Sequence, residues 1–126
     1  MGPRRRELLD LSLVAAGAIP GALLRWHLPQ LLFANLLGCF LLGLLVGWPG
    51  TRPRLMLWGG IGFCGSLTSF SSWMLQLAAL PLASGAFLQA LLVPVVGGFA
   101  AFFAGGAIAT ALARGFGRRP GTRLRR

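Results

Sequence analysis

The stretch densest in usable chemistry is Gly62-Phe63-Cys64-Gly65-Ser66-Leu67-Thr68-Ser69-Phe70-Ser71-Ser72-Trp73. Five hydroxyls, on Ser66, Thr68, Ser69, Ser71 and Ser72, fall within seven residues. A hydroxyl both donates and accepts hydrogen bonds, so a row of them can line a polar path. One or two could do no more than bond back to carbonyls of their own helix. Five of them, preceded by Gly59, Gly60, Gly62 and Gly65, point instead to a helix broken in its middle, whose freed carbonyl oxygens suit a hard cation. Phe70 and Trp73 are three apart and share one helix face. Such a pair is ordinarily packing, but beside a hydroxyl track its positive ring edges offer a path to a small anion.

Two more polar residues lie in apolar surroundings. Asn35 sits within Phe33-Ala34-Asn35-Leu36-Leu37-Gly38-Cys39-Phe40. Its amide either bonds across to another helix or lines a polar path, where its NH2 can donate to an anion. Arg25 either snorkels to an interface or faces an anion vestibule. Cys39 and Cys64 read as small packing residues without metal-ligand spacing, and His27, beside Trp26, as an interfacial side chain. There is no nucleophile–base pair and no pair of catalytic carboxylates, so the chain does not read as an enzyme.

The elements that must position these residues are apolar helices. The chain has 126 residues, 56% of them apolar and 11% charged, with a mean hydropathy of +0.74. A soluble domain carries roughly a quarter charged residues, so a water-soluble enzyme, a disordered tail and a disulfide scaffold are excluded. Between Arg54 and Arg114 run 59 residues without a formal charge, room for two spans of about 20 residues each and a turn. Leu28 to Thr51 is a further uncharged stretch, and Leu8 to Leu24 is interrupted only by Asp10. The expected fold is therefore an all-α membrane protein, one domain over 1–126. Its four spans run at about 8–26, 31–48, 55–80 and 84–112, the third is broken at mid-membrane, and basic tails occupy 1–7 and 113–126. The rival reading of the first span, a signal peptide with Arg4–Arg6 as its charged region, lacks a small-residue cleavage site in a polar stretch.

All twelve basic residues are arginines. With four spans, Arg4–Arg6, Arg52, Arg54 and the six from Arg114 onward share one face, and Arg25 is alone on the other. The positive-inside rule then puts both termini in the cytoplasm of a plasma-membrane protein. The arginine-rich tail reads as a topology determinant and an anchor on anionic lipid. It has no aromatic after Phe116 on which bases could stack, so no nucleic-acid partner is expected. Trp26, Trp48 and Trp58 fall at span ends, whereas Trp73 lies deep in the third segment. Gly17/Gly21 and Gly43/Gly47 each form a GxxxG, the pattern that lets helices approach closely in lipid.

Together these motifs resemble the CrcB/Fluc family of fluoride channels. The resemblance rests on Gly17-x-x-Pro20-Gly21-Ala22-x-x-Arg25-Trp26, on Asn35-x-x-Gly38-x-Phe40-x-x-Gly43 and, most specifically, on residues 62–73. It implies an antiparallel dimer with two narrow fluoride pores and passive efflux of fluoride from the cytoplasm. It also implies a structural, untransported sodium ion (Na+) at the dimer centre, on the backbone carbonyls of Gly65 and Thr68. The implied pore residues are Asn35, Phe70 and Trp73, with Ser69, Ser71 and Ser72 as the hydroxyl track and Arg25 at the vestibule. Three departures from the family pattern stand out. Trp73 stands where the family has a second Phe. Ser66 and Ser69 replace a Gly and a Thr. The fourth span offers only Thr110 where the family extends its polar track.

The charge bias bears on assembly. A homodimer of antiparallel subunits must insert both ways, whereas an eleven-to-one bias predicts one orientation. The expected partner is therefore a second, oppositely oriented subunit of the same family, with an ordinary homodimer as the runner-up. In the first case this chain could also be the non-conducting partner of a heterodimer. The main rival function is a small four-helix multidrug exporter, which needs an intramembrane carboxylate; spans two to four contain no Asp or Glu. A holin or scaffold would not need a polar cluster at 66–72.

Overall fold

Long uncharged runs can satisfy their backbone groups in lipid only by coiling on themselves, and these runs form helices. The computed structural model describes residues 3–117, and every regular element among them is helical. Of the basic C-terminal tail, Arg118, Arg119, Arg123, Arg125 and Arg126 lie outside the described residues. Helix α1 spans Pro3–His27 and α2 spans Leu31–Gly47. The third segment comes in pieces: α3 (Pro53–Leu55), a π-helix (Met56–Cys64), α4 (Gly65–Leu67) and α5 (Phe70–Ala78). Helix α6 spans Gly85–Gly117. By length and composition two helices can cross a membrane, Arg4–His27 with a hydropathy of 1.6 and Gly85–Phe116 with 2.1. Helix α2 is also apolar but shorter.

Local chemistry sets the boundaries. Gly50, at φ 81, makes the left-handed step of the turn after α2. Thr51 Oγ1 closes that turn by donating to the Leu45 and Trp48 carbonyls at 2.7 and 2.8 Å. Arg52 is extended, and Pro53 opens α3 at a position where its missing N–H costs nothing. Ser84 caps α6, its hydroxyl accepting from the Phe87 N–H at 3.1 Å, the usual role of a serine at a helix start.

Two glycine seams hold the helices together. On one, a Cβ at Gly17 would run into the Trp58 carbonyl, at Gly21 into the Phe63 carbonyl, and at Gly62 into the Val14 carbonyl. On the other, Gly43 meets the Phe102 carbonyl, Gly105 the Phe40 carbonyl, and Gly47 the backbone of Gly106. The π-helix runs through the first seam, where Gly65 N–H donates to the Gly60 carbonyl, five residues back as such a helix requires. Contacts run from Gly17 at Trp58 through Gly21 at Ser66 to Arg25 at Ser72, and from Leu36 at Gly97 to Gly47 at Gly106, so α1 runs parallel to the third segment and α2 parallel to α6. The start of α1, the 48–54 turn and the end of α6 therefore share one end. Gly47, Pro49 and Arg114 line one cavity there. Arg4, Arg5, Arg6, Arg52, Arg54 and Arg114 gather at that end, away from Arg25.

Among the described residues the buried ones are eight glycines of the helix contacts together with Ala34, Cys64, Leu67, Leu77 and Ala109. Many large apolar side chains face outward, among them Leu8, Ile19, Val96, Phe99 and Phe103. That inversion suits a membrane protein, whose solvent is hydrocarbon and whose helices meet through small residues.

Candidate functional site

The third segment stops being helical after Leu67 and resumes at Phe70. Thr68 (φ −85, ψ 155) and Ser69 (φ −147, ψ 111) are both extended. Three hydrogen bonds keep this step from closing into a helix. Ser69 N–H donates to Asn35 Oδ1 at 2.8 Å instead of to a carbonyl of its own segment. Asn35 Nδ2 in turn reaches the Ser69 carbonyl at 3.4 Å, so one amide side chain grips both backbone groups of one residue. Ser72 N–H donates to Ser69 Oγ at 3.2 Å, which makes Ser69 the N-cap of α5.

In an uninterrupted helix the Gly65 carbonyl would accept from the N–H of Ser69 and the Thr68 carbonyl from the N–H of Ser72. Both N–H groups are diverted. Gly65 O receives only a long 3.5 Å contact from Thr68 Oγ1, which lies closer, at 3.1 Å, to the Cys64 carbonyl. Gly65 itself is exposed on this subunit. Backbone carbonyls released in this way are the ligand type that hard cations take. Among the described residues no three His, Cys, Asp or Glu side chains cluster. The oxygens at the break are what a cation would find here.

The hydroxyls form a short chain beside it. Ser69 Oγ donates to Ser72 Oγ at 3.0 Å and lies 3.3 Å from Ser71 Oγ. Arg25 turns inward onto this chain, its Nη2 donating to Ser72 Oγ at 2.8 Å. The other guanidinium nitrogen, Nη1, is buried with no protein partner among the described residues. Ser72 Oγ thus accepts twice, once from a cation, which leaves its own hydrogen free to donate and polarises it. Ser66 is not part of this chain. Its hydroxyl crosses to the Ala18 carbonyl on α1 at 2.9 Å.

Phe70 and Trp73 meet edge to face, ring centroids 5.7 Å apart and planes at 76°. Phe70 is 69% exposed on the isolated subunit, whereas Trp73 is half-buried. A cavity of about 230 Å³ brings Asn35, Cys39, Thr68, Ser69, Phe70 and Trp73 together with Pro94 and Val95 of α6. A larger one of about 420 Å³ lies beside it, lined by Leu42, Phe99 and Phe102 among others, and has no amide, hydroxyl or charged side chain in its lining. The smaller cavity is the candidate site. It can hold a small anion against the amide hydrogen that Asn35 does not spend on Ser69 and against ring edges, with no charged side chain lining it.

Two features of this site were not read from the sequence. Trp73 Nε1 donates to the Ala90 carbonyl of α6 at 2.8 Å, and Pro94 lines the cavity. A proline inside an apolar span was the available signal, because it always leaves a carbonyl one turn earlier without its helical donor. Thr110 contributes nothing to the cavity, since its hydroxyl bonds the Gly106 and Ala107 carbonyls of its own helix at 3.0 and 2.9 Å.

Comparison with known proteins adds an independent line. Residues 12–107 match the family described as CrcB-like protein, Camphor Resistance (CrcB). The chain is 62% identical over 76 residues to the fluoride-specific ion channel FluC 2 of Parasynechococcus marenigrum (strain WH8102), covering 56% of this chain and 57% of that relative. It is 51% identical over 89 residues to FluC 2 of Prochlorococcus marinus (strain MIT 9313), covering 71% and 70%. It is 44% identical over 68 residues to FluC 1 of Prochlorococcus marinus (strain NATL2A), covering 54% and 59%. The matched stretches thus span from 57% to 70% of these relatives' lengths. No solved structure matches the chain significantly.

Proposed function

The chain belongs to the CrcB-like protein family, and from that premise we propose that it is a subunit of a fluoride-specific ion channel in the plasma membrane. It is a channel protein and not an enzyme. Fluoride enters acid-exposed cells as neutral HF, dissociates in the more alkaline cytoplasm and is trapped there as the anion. A passive pore lets it leave and lowers its toxicity.

The observation that carries this reading is the small cavity at the break. Stripping water from an anion is tolerable only where donors replace it, and release requires that no single donor hold it too tightly. The second amide hydrogen of Asn35 and the Phe70–Trp73 edges meet both demands, with the Ser71 and Ser72 hydroxyls just outside the cavity. Arg25, one turn outside through Ser72, supplies positive potential at the entrance.

The assembly follows from what one subunit leaves uncovered. Extended backbone at Thr68 and Ser69, with Gly65 and Ser71 exposed beside it, has no place against lipid. A second subunit covers it, antiparallel to the first, with the break at mid-membrane. A sodium ion on the Gly65 and Thr68 carbonyls would supply a fixed positive charge at that interface. The gathering of arginines at one end supports cytoplasmic termini and a single orientation, hence a partner that is a second family member; a homodimer is the alternative. Relatives named FluC 1 and FluC 2 are compatible with such pairs. The larger Trp73 ring and the self-bonded Thr110 favour, as a second reading, a non-conducting role for this chain within that pair.

Fluoride efflux from proteoliposomes tests the proposal, with the protein alone and with an oppositely oriented family subunit. Sodium-dependent efflux is expected in at least one preparation, reduced by Asn35→Ala and more severely by Phe70→Ala. Absence of fluoride efflux from both would end the channel reading. Tag accessibility on the protein expressed alone is expected to show one orientation; equal numbers of both would restore the homodimer.

A further inference from the structure

Pro94 lies inside α6, which continues unbroken through it. Having no N–H, it leaves the Ala90 carbonyl, four residues back, without a helical donor. Hydrocarbon offers no replacement, so that oxygen must find a partner within the protein. Its partner is Trp73 Nε1 at 2.8 Å, reaching across from α5. The match is reciprocal, because indole has a single donor and no acceptor. Few backbone positions of α5 approach α6, and among the described residues this is the one hydrogen bond that joins them. Pro94 and Trp73 both line that cavity, with Asn35 and Phe70.

We propose that Pro94 is a positioning residue for anion passage: by freeing the Ala90 carbonyl it pins the Trp73 indole to α6, so that Trp73 offers the cavity its ring and withholds its N–H. This rests on the fluoride-channel reading. A free indole N–H in the cavity would give fluoride a strong charge-assisted hydrogen bond, a resting place too deep for rapid release. Pinned, the same ring acts as a bulky phenylalanine, and its angle to Phe70 is set by α6. The pairing of a tryptophan at 73 with a proline at 94 is then one device in two parts.

The test compares wild type, Pro94→Ala, Trp73→Phe and the double variant in detergent or nanodiscs and in proteoliposomes. The indole N–H signals of 15N-labelled protein are assigned by the one that Trp73→Phe removes. Pro94→Ala supplies an N–H that recaptures the Ala90 carbonyl. The Trp73 signal is expected to move toward a weaker hydrogen bond, to exchange faster, and to shift on fluoride addition, which the wild-type signal does not. Fluoride efflux is expected to fall roughly tenfold, the order of one added hydrogen bond to a charged group. With Trp73→Phe in place, Pro94→Ala should change efflux by less than about twofold, because the bond it perturbs is gone. An unchanged Trp73 signal in Pro94→Ala would overturn the pinning. An equal loss of efflux with and without Trp73 would overturn its role in passage, leaving Pro94 a mere shaper of α6. A wild type that carries no fluoride, alone or paired, while its indole responds as described would defeat the channel reading and Pro94's part in passage but not the pinning itself.

Discussion

Before Thr68 the third segment lies backbone against backbone on α1, with Gly17, Gly21 and Gly62 leaving no room for a methyl group. After Ser69, α5 makes few close backbone approaches, and Leu77 is its one buried residue. Separate polar bonds hold it: Asn35 to Ser69, Arg25 to Ser72, Trp73 to Ala90. Close packing gains its energy from many weak contacts and fails when one atom is too many. A hydrogen-bonded segment instead places a few donors accurately and tolerates changes of bulk. The first half is built to stay put, and the second to aim the cavity's donors.

Two glycines three residues apart separate these regimes most sharply. A Cβ at Gly62 would meet the Val14 carbonyl and the Gly17 Cα, backbone atoms that cannot rotate away, whereas at Gly65 the nearest atom is 3.9 Å off. Gly62→Ala is therefore expected to destabilise the subunit by about 1–3 kcal/mol or more, as overpacking does, seen as a lower thermal midpoint and loss of monodisperse protein in detergent. Gly65→Ala should leave subunit folding within about 0.5 kcal/mol and act only through whatever covers its exposed side. Equal destabilisation by the two would mean that the segment is packed alike on both sides of Cys64.

Asn35→Leu tests the other half with a side chain of similar size. It strips the Ser69 N–H and carbonyl of their cross-helix partners while keeping the volume. Interhelical hydrogen bonds in membranes contribute about 0.6 kcal/mol on average, so the thermal midpoint should move little. Fluoride efflux should drop by roughly tenfold or more, because the break relaxes and the amide donor is lost. A variant that unfolds while its efflux per folded dimer is unchanged would reverse the assignment of roles.

This division also explains what could be read in advance. Helical character followed from uncharged runs, because lipid leaves the backbone no alternative. The polar cluster was legible because five hydroxyls in an apolar segment have to be accounted for. The π-helix over Met56–Cys64 was not, since its wider turn depends on how α1 seats against Gly62. Arg25 left two options open, and the direction its side chain takes, inward onto Ser72, is set by a tertiary contact that no sequence spacing carries. Trp73 read as a departure from a family pattern, because the oxygen that holds it is exposed by a proline 21 residues further along. Tertiary pairs of this sort leave no periodic trace.

The smallest expected effects lie within the hydroxyl chain, where Ser69 and Ser72 differ in how many bonds depend on each. Ser69 Oγ accepts the Ser72 N–H as the cap of α5 and donates to the Ser72 hydroxyl. Ser69→Ala removes both and leaves the first turn of α5 uncapped, a loss of about 1 kcal/mol, so efflux should fall about fivefold. Ser72→Ala keeps the backbone N–H and with it the cap. It removes the acceptor of Arg25 Nη2, leaving a guanidinium with no partner on either outer nitrogen. That cation then attracts fluoride at the entrance more strongly while the chain inward is one donor short, and the two changes oppose each other. Ser72→Ala should therefore lower efflux by no more than about twofold and make it more sensitive to ionic strength, because salt screens the attraction of the unpartnered guanidinium for fluoride. Efflux at low and high salt in the same proteoliposomes measures both. A Ser72→Ala loss larger than that of Ser69→Ala would mean that Arg25 acts on fluoride through the Ser72 hydroxyl, and that the polar half of the segment is organised from its arginine end and not from its cap.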